Sequence, residues 1–115
     1  MKVVIVDDHP SFRASARSLL EAEGYEVVGE AADGAEALAA VTALHPDLVL
    51  LDVQLPDIDG FEVAERLGAT SDPPQIVLTS SRDGADYGAC IAASGACGFV
   101  PKAELSGAAL TLLLG

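Results

Sequence analysis

Short continuous apolar runs alternate along the chain with longer stretches in which apolar residues recur every three or four positions. Val3 to Val6 has no polar interruption and ends at Asp7 and Asp8, the pattern of a strand buried on both faces. A helix opening at Pro10 or Ser11 follows, with Phe12, Ala16, Leu19 and Leu20 on one side and Gly24 as its end. The pattern repeats. Glu26 to Glu30 carries Val27 and Val28 as a short strand, and Asp33 caps a helix whose expected face is Ala35, Leu38, Ala39 and Thr42. The most apolar strand, Leu48 to Leu51, runs directly into Asp52. A loop with Pro56 and Gly60 leads to a short helix with Phe61, Ala64 and Leu67, closed at Gly68. A fourth strand, Gln75 to Leu78, ends at Thr79 and Ser80. An alanine-rich helix is expected from about Gly84 to Ser94, weakened by Gly88, and a short strand, Gly98 to Val100, ends at Pro101 and Lys102. Ser106 is the expected cap of a last helix with Ala108, Ala109 and Leu112 as its face. Leu110, Leu113 and Leu114 widen that stripe, as either a frayed end or a dimerisation or linker surface.

Regular alternation of continuous apolar strands with amphipathic helices calls for a parallel sheet with helices on both faces. Right-handed crossovers then bring every strand's C-terminal end to one edge. At 115 residues the chain is too short for an eight-stranded barrel, which leaves an open, doubly wound α/β sheet whose ligand lies beyond the C-terminal strand ends. Hydrophobic residues make up 50% and charged residues 21%, a balance that supports one folded domain over 1–115 and excludes a disordered chain. Eighteen acids against six Lys and Arg give a net charge of −12, which repels phosphate backbones and argues against nucleic-acid binding. No apolar run reaches the roughly 18 residues of a membrane helix, and the first residues form a strand rather than a signal peptide, so a cytoplasmic domain without a membrane role is expected. Cys90 and Cys97 match neither a CxxC redox site nor a zinc site, and two buried free thiols are expected.

The residues just past the strands give this edge its chemistry: Asp7 and Asp8 after the first, Asp52 after the third, Thr79 after the fourth and Lys102 after the fifth. Converging carboxylates repel and raise one another's pKa unless a cation sits among them. A divalent ion with hard oxygen ligands, magnesium or manganese, is the simplest remedy. Such a site then accepts a phosphoryl group, with the Lys102 ammonium and the Thr79 hydroxyl as further partners for its oxygens. Asp52, which closes the central strand, is the candidate nucleophile, and an acyl phosphate on its carboxylate is the expected product.

Over its whole length the chain resembles the receiver domain of two-component response regulators. The resemblance rests on the Asp7-Asp8 pair, Asp52 with Pro56 four residues on, Thr79 followed by a small residue, and Lys102 preceded by Gly98-Phe99, all in family order. It implies a flavodoxin-like five-stranded parallel sheet of order 2-1-3-4-5. It further implies that Asp52 takes phosphate from the phosphohistidine of a sensor histidine kinase. Magnesium would be held by Asp7 or Asp8, Asp52 and the Gln54 main-chain carbonyl, and Thr79 with Phe99 would form a switch that remodels the surface of the fourth helix, fifth strand and fifth helix. Asp7-Asp8-His9-Pro10-Ser11-Phe12-Arg13 and Leu78-Thr79-Ser80-Ser81-Arg82-Asp83 resemble the subfamily with a C-terminal helix-turn-helix output domain, and no such domain is expected within these residues. His9 is read as helix-entry polarity without a role. One departure stands out: the family often has proline after its lysine, in a cis peptide, whereas Ala103 follows Lys102, and a cis bond there would cost about 2.5–4 kcal/mol.

Three other functions fit less well. A magnesium-dependent phosphohydrolase of the haloacid-dehalogenase type wants an Asp two residues after its nucleophile, where Gln54 stands, and a larger cap. A flavodoxin wants a phosphate-cradling loop where Asp7 and Asp8 lie. A phosphate-independent interaction module with the receiver fold is the remaining alternative.

Overall fold

The computed structural model describes residues 1–81 and 87–114. Five strands, β1 (Lys2–Val6), β2 (Glu26–Ala31), β3 (Leu48–Asp52), β4 (Gln75–Ser80) and β5 (Gly98–Pro101), form one sheet of order β2-β1-β3-β4-β5 with every pair parallel. Helices α1 (Pro10–Ala22), α2 (Gly34–Leu44), α3 (Gly60–Gly68), α4 (Gly88–Ser94) and α5 (Gly107–Leu114) connect or follow them. This is the flavodoxin-like doubly wound arrangement that the resemblance implied.

Alternate side chains of the strands leave on opposite faces, and both faces are covered. Val4, Val6, Val49, Leu51, Ile76 and Leu78 pack with Ala37 and Val41 of α2 and with Val63, Ala64 and Leu67 of α3. On the other face, Val3, Ile5, Leu48, Leu50, Val77 and Val100 meet Ala16 and Leu20 of α1 and Leu110 of α5. Two-sided burial explains why the strands read as unbroken apolar runs. Each fully buried Val, Leu or Ile is worth about 1.5–3 kcal/mol, so the central strands β1 and β3 anchor the edge that follows them.

Helix entry follows the expected signals. Asp33 accepts the Glu36 amide at 2.8 Å, and Asp59 accepts the Glu62 amide at 2.8 Å. Ser106 Oγ accepts the Ala109 amide at 3.0 Å. Pro10 is the first residue of α1.

Several finer expectations change. In α2 the buried residues are Gly34, Ala37 and Val41, with Leu38 half-buried and Ala35, Ala39 and Thr42 exposed. A helix this rich in alanine has too little contrast between its sides to fix the face from sequence. In α5, Leu110 is buried and Leu113 and Leu114 pack against the core, whereas Ala108 is exposed and Leu112 is 85% exposed. Of the expected face only Ala109 packs against the core, because the apolar residues nearly encircle the helix and leave its inward side unmarked. Cys90 and Cys97 are free but exposed rather than buried. Gly88 opens α4 instead of interrupting it, and Gly95, in the left-handed region at φ 80°, ends it. The expected helix start near Gly84, and Arg82 and Asp83, lie outside the described residues.

Candidate functional site

The C-terminal edge is built by backbone pairing. Cα pairing sets Asp52 beside Thr79 and Thr79 beside Val100, and the Val53 amide donates to the Thr79 carbonyl at 2.9 Å. The Asp7 amide donates to the Ala31 carbonyl at 3.0 Å, continuing the sheet pairing one residue past β1. Register thus delivers Asp7, Asp52, Thr79 and Lys102 from four strands to one place.

Lys102 joins the acids. Its Nζ lies 2.6 Å from Asp7 Oδ2 and 3.3 Å from Asp52 Oδ2, and 4.6 Å from the centre of the Phe12 ring. No cis peptide occurs among the described residues, and Lys102 opens a 3-10 turn over Lys102–Glu104. The lysine reaches both carboxylates with Ala103 behind it.

The site is buried at its base and open at its rim. Asp7 is fully buried, Asp52 is 2% exposed and Thr79 1% exposed, while Asp8 and Gln54 are exposed. The Gln54 amide donates to Asp52 Oδ1 at 3.1 Å. Burial pushes the Asp52 pKa up, the neighbouring charge of Asp7 adds to the rise, and the Gln54 amide and Lys102 counter only part of it. Burial alone would lower the Lys102 pKa, but its hydrogen bond to Asp7 and the charges of Asp52 and Asp7 outweigh that and hold it above the ordinary lysine value.

Two features fit the acids to a hard divalent cation. Ligand atoms of Asp7, Asp8, His9 and Asp52 all lie within 4.8 Å of one another. One lysine faces two buried acids, and Asp8 adds a third carboxylate at the rim, so the acids outnumber the ammonium. A further polar group awaits a partner, because Thr79 Oγ1 is buried without a hydrogen bond among the described residues.

Residues without an assigned role also shape the site. His9 Nδ1 stands 3.1 Å from Asp7 Oδ1 and 3.0 Å from Asp8 Oδ1. A histidine directly after two acids was a visible signal, but its direction was not. Gly60 packs against the Asp52-Val53 backbone and donates to the Val53 carbonyl at 2.7 Å. Asp57 ties the loop after Asp52 to α2 by accepting the Gly34 and Ala35 amides at 2.8 and 3.0 Å, and the Gly34 amide above all holds its pKa below the ordinary value. Tyr87 lies between Phe61 and Phe99, with ring centres 5.6 and 6.1 Å away, and its hydroxyl is 3.5 Å from Ser80 Oγ. Phe99, for which the resemblance implies a switch role, is half-buried in this aromatic row.

Known proteins share the sequence pattern and fold that carry this site. The chain is 39% identical over 103 residues to the virulence-factor transcription regulator BvgA of Bordetella pertussis, covering 90% of this chain and 49% of that protein. It is 36% identical over 104 residues to the DNA-binding transcriptional activator EvgA of Escherichia coli, covering 90% and 51%. The chain spans about half the length of the curated relatives it matches. Among solved structures, a signal receiver domain of a NarL response regulator from Mycobacterium tuberculosis superposes with a TM-score of 0.85 at 37% identity, covering 99% of this chain and 96% of that one. A LuxR-family two-component response regulator from an Aurantimonas species superposes with a TM-score of 0.87 at 33% identity, covering 99% and 85%. The family model of the response regulator receiver domain matches residues 3–112, all five strands included. The acids and lysine gathered at the sheet edge therefore stand on a scaffold whose kinship extends through nearly the whole chain, and the chain belongs to the response regulator receiver domain family.

Proposed function

We propose that the domain is a phosphoacceptor switch in which Asp52 receives a phosphoryl group from the phosphohistidine of a sensor histidine kinase. One observation carries this reading: a buried carboxylate, a half-buried ammonium and an unpartnered buried hydroxyl converge on one point at the open end of a parallel sheet. An Asp52 carboxylate oxygen attacks phosphorus, the new P–O bond forms as the P–N bond to the kinase imidazole breaks, and the imidazole leaves with the nitrogen lone pair. Asp7, Asp8, Asp52 and the Gln54 main-chain carbonyl would hold magnesium or manganese, which supplies charge neutralisation and orientation for the phosphoryl oxygens when bound. Lys102, already between Asp7 and Asp52, stabilises the negative charge on those oxygens. The Thr79 hydroxyl gains a hydrogen-bond acceptor in the phosphoryl group, and its movement frees space that Phe99 fills from the aromatic row with Tyr87.

The readout surface is that of α4, β5 and α5. Leu112 projects from it, beside a groove of about 270 Å³ lined by Phe99, Pro101 and Leu113. A phosphorylation-dependent homodimer through this surface or the last helix, controlling transcription through a linked output domain, accords with the transcription regulators among the relatives. The domain is a signalling component of the cytoplasm that catalyses only its own phosphotransfer and dephosphorylation, without contacting nucleic acid itself. No described helix is long and apolar enough to cross a membrane.

Incubation with magnesium and acetyl phosphate, read by intact mass, tests the proposal. A single phosphoryl adduct that disappears in Asp52→Asn and in excess chelator is expected. An adduct persisting in Asp52→Asn moves the nucleophile elsewhere, and no adduct in the wild type favours a phosphate-independent interaction module. Light scattering with and without the phosphodonor checks the dimer, and strictly monomeric behaviour when phosphorylated contradicts it.

A further inference from the structure

We infer that His9 is a metal ligand of this receiver domain, giving its acidic site a nitrogen donor and a preference for borderline transition ions over magnesium. The inference rests on the reading of Asp7, Asp8 and Asp52 as a cation site. His9 Nδ1 is 3.1 Å from Asp7 Oδ1 and 3.0 Å from Asp8 Oδ1. Two donors at about 2.1 Å from one ion and at right angles to each other stand about 3.0 Å apart. The imidazole nitrogen therefore already lies at ligand-to-ligand distance from an oxygen of each acid, where one octahedral ion can touch all three.

Local structure keeps it there. His9 is the residue before α1, its own amide donates to Asp7 Oδ1 at 2.8 Å, and Pro10 fixes the helix start behind it. Its side chain makes no capping bond to the helix, so the ring is not committed to that role. At 66% side-chain exposure, it sits over the open side of the cluster, whereas Asp7 and Asp52 form the buried floor. With no ion between them, His9 Nδ1 and Asp7 Oδ1 are at hydrogen-bond distance, 3.1 Å, with the ring nitrogen as donor to the carboxylate; an ion seated among the three donors would replace that proton and take up the Nδ1 lone pair.

The chemical consequence is selectivity. An all-oxygen octahedral set suits magnesium, which sheds water reluctantly and gains little from imidazole, whereas cobalt, nickel, zinc and, less strongly, manganese gain from a nitrogen donor. Cobalt is the useful probe because its bonds to nitrogen and to thiolate sulfur are spectroscopically distinct.

Calorimetric titration of the whole domain with Mg²⁺ and with Co²⁺ tests this in the wild type, His9→Phe, His9→Ala and Asp52→Asn. The ratio of Co²⁺ to Mg²⁺ affinity is expected to fall about tenfold or more in both His9 variants, with weakening of both ions in Asp52→Asn. Proton NMR of the Co²⁺ form should show one strongly shifted, exchangeable imidazole N–H resonance that His9→Ala abolishes while His45 is retained. Equal loss of both ions, equal gain of both, or no change in the His9 variants overturns the inference while leaving the acids as a cation site. Thiolate-to-cobalt absorption, placing the ion on Cys90 or Cys97, overturns it as well. Failure of the wild type to bind either ion would instead remove the cation-site reading on which it stands.

Discussion

Replacing Gly60 with alanine adds a methyl group where the backbone of the phosphoacceptor strand already lies. A Cβ at this position would overlap the Asp52 carbonyl oxygen and stand 2.8 Å from Val53 Cα and 3.0 Å from the Asp52 carbonyl carbon. All three neighbours are backbone, so no side chain can swing aside. The Gly60 amide is also held to the Val53 carbonyl at 2.7 Å, which prevents α3 from simply moving away. Overpacking of this kind costs about 1–3 kcal/mol, and the better helix propensity of alanine returns at most about 1 kcal/mol. Because the clash is with backbone, the upper part of that range, about 2–3 kcal/mol, applies, leaving a net loss of about 1–3 kcal/mol; at about 4 °C per kcal/mol for a domain of this size, Gly60→Ala should melt about 4–12 °C below the wild type. Since relief requires Asp52 to move against Lys102, acetyl phosphate should also label the variant more slowly. Gly68→Ala, whose added Cβ meets nothing, is the control and should be neutral or slightly stabilising. Circular-dichroism melts of the three proteins decide the matter. A Gly60→Ala melt indistinguishable from wild type, with an unchanged labelling rate, would refute the claim that this glycine makes room for the Asp52 backbone.

Further perturbations probe the charges and the core. Because burial raises the Asp52 pKa, the native state holds this proton more tightly than the unfolded chain, so its ionisation lowers stability as pH rises above the unfolded value of 3.8. Asp52→Asn in chelator should therefore gain stability relative to wild type as pH rises from about 4 to neutrality, with the gain vanishing below pH 3.8; urea titrations with no such pH dependence contradict it. Asp57 has the opposite sign: its lowered pKa stabilises the fold above the unfolded value of 3.8 and the benefit fades in acid. Asp57→Ala should lower the neutral-pH melt and speed hydrogen exchange at the Gly34 and Ala35 amides, and unchanged exchange there would count against the tie. Leu50→Ala, at a site 1% exposed, should cost about 2–5 kcal/mol, whereas Leu112→Ser, 85% exposed, should stay within about 0.5 kcal/mol; similar losses in both would mean that α5 presents a different face.

The strands and the edge were legible because two-sided burial writes itself as unbroken apolar runs, and each run ends at a polar residue that the register carries to one place. Val3 to Val6 followed by Asp7 is the clearest case. Helix faces were less legible where composition erases contrast: α2 is nearly half alanine, and α5 has leucine on almost every side. The inward direction of the His9 ring and the seat of Gly60 on the Asp52 backbone were not readable at all, since both depend on contacts across loops. Nor did the missing proline after Lys102 reveal that the lysine would still reach Asp7 and Asp52 from a turn without a cis bond.

The most direct measurement is chemical placement of the phosphoryl group. After treatment with acetyl phosphate and magnesium, borohydride reduction converts an aspartyl phosphate to homoserine, and peptide sequencing then reads the position. Homoserine at position 52, absent without the phosphodonor, is the predicted result. Homoserine at position 7 or 8, or reduction nowhere despite a phosphoryl adduct in the intact protein, would contradict it.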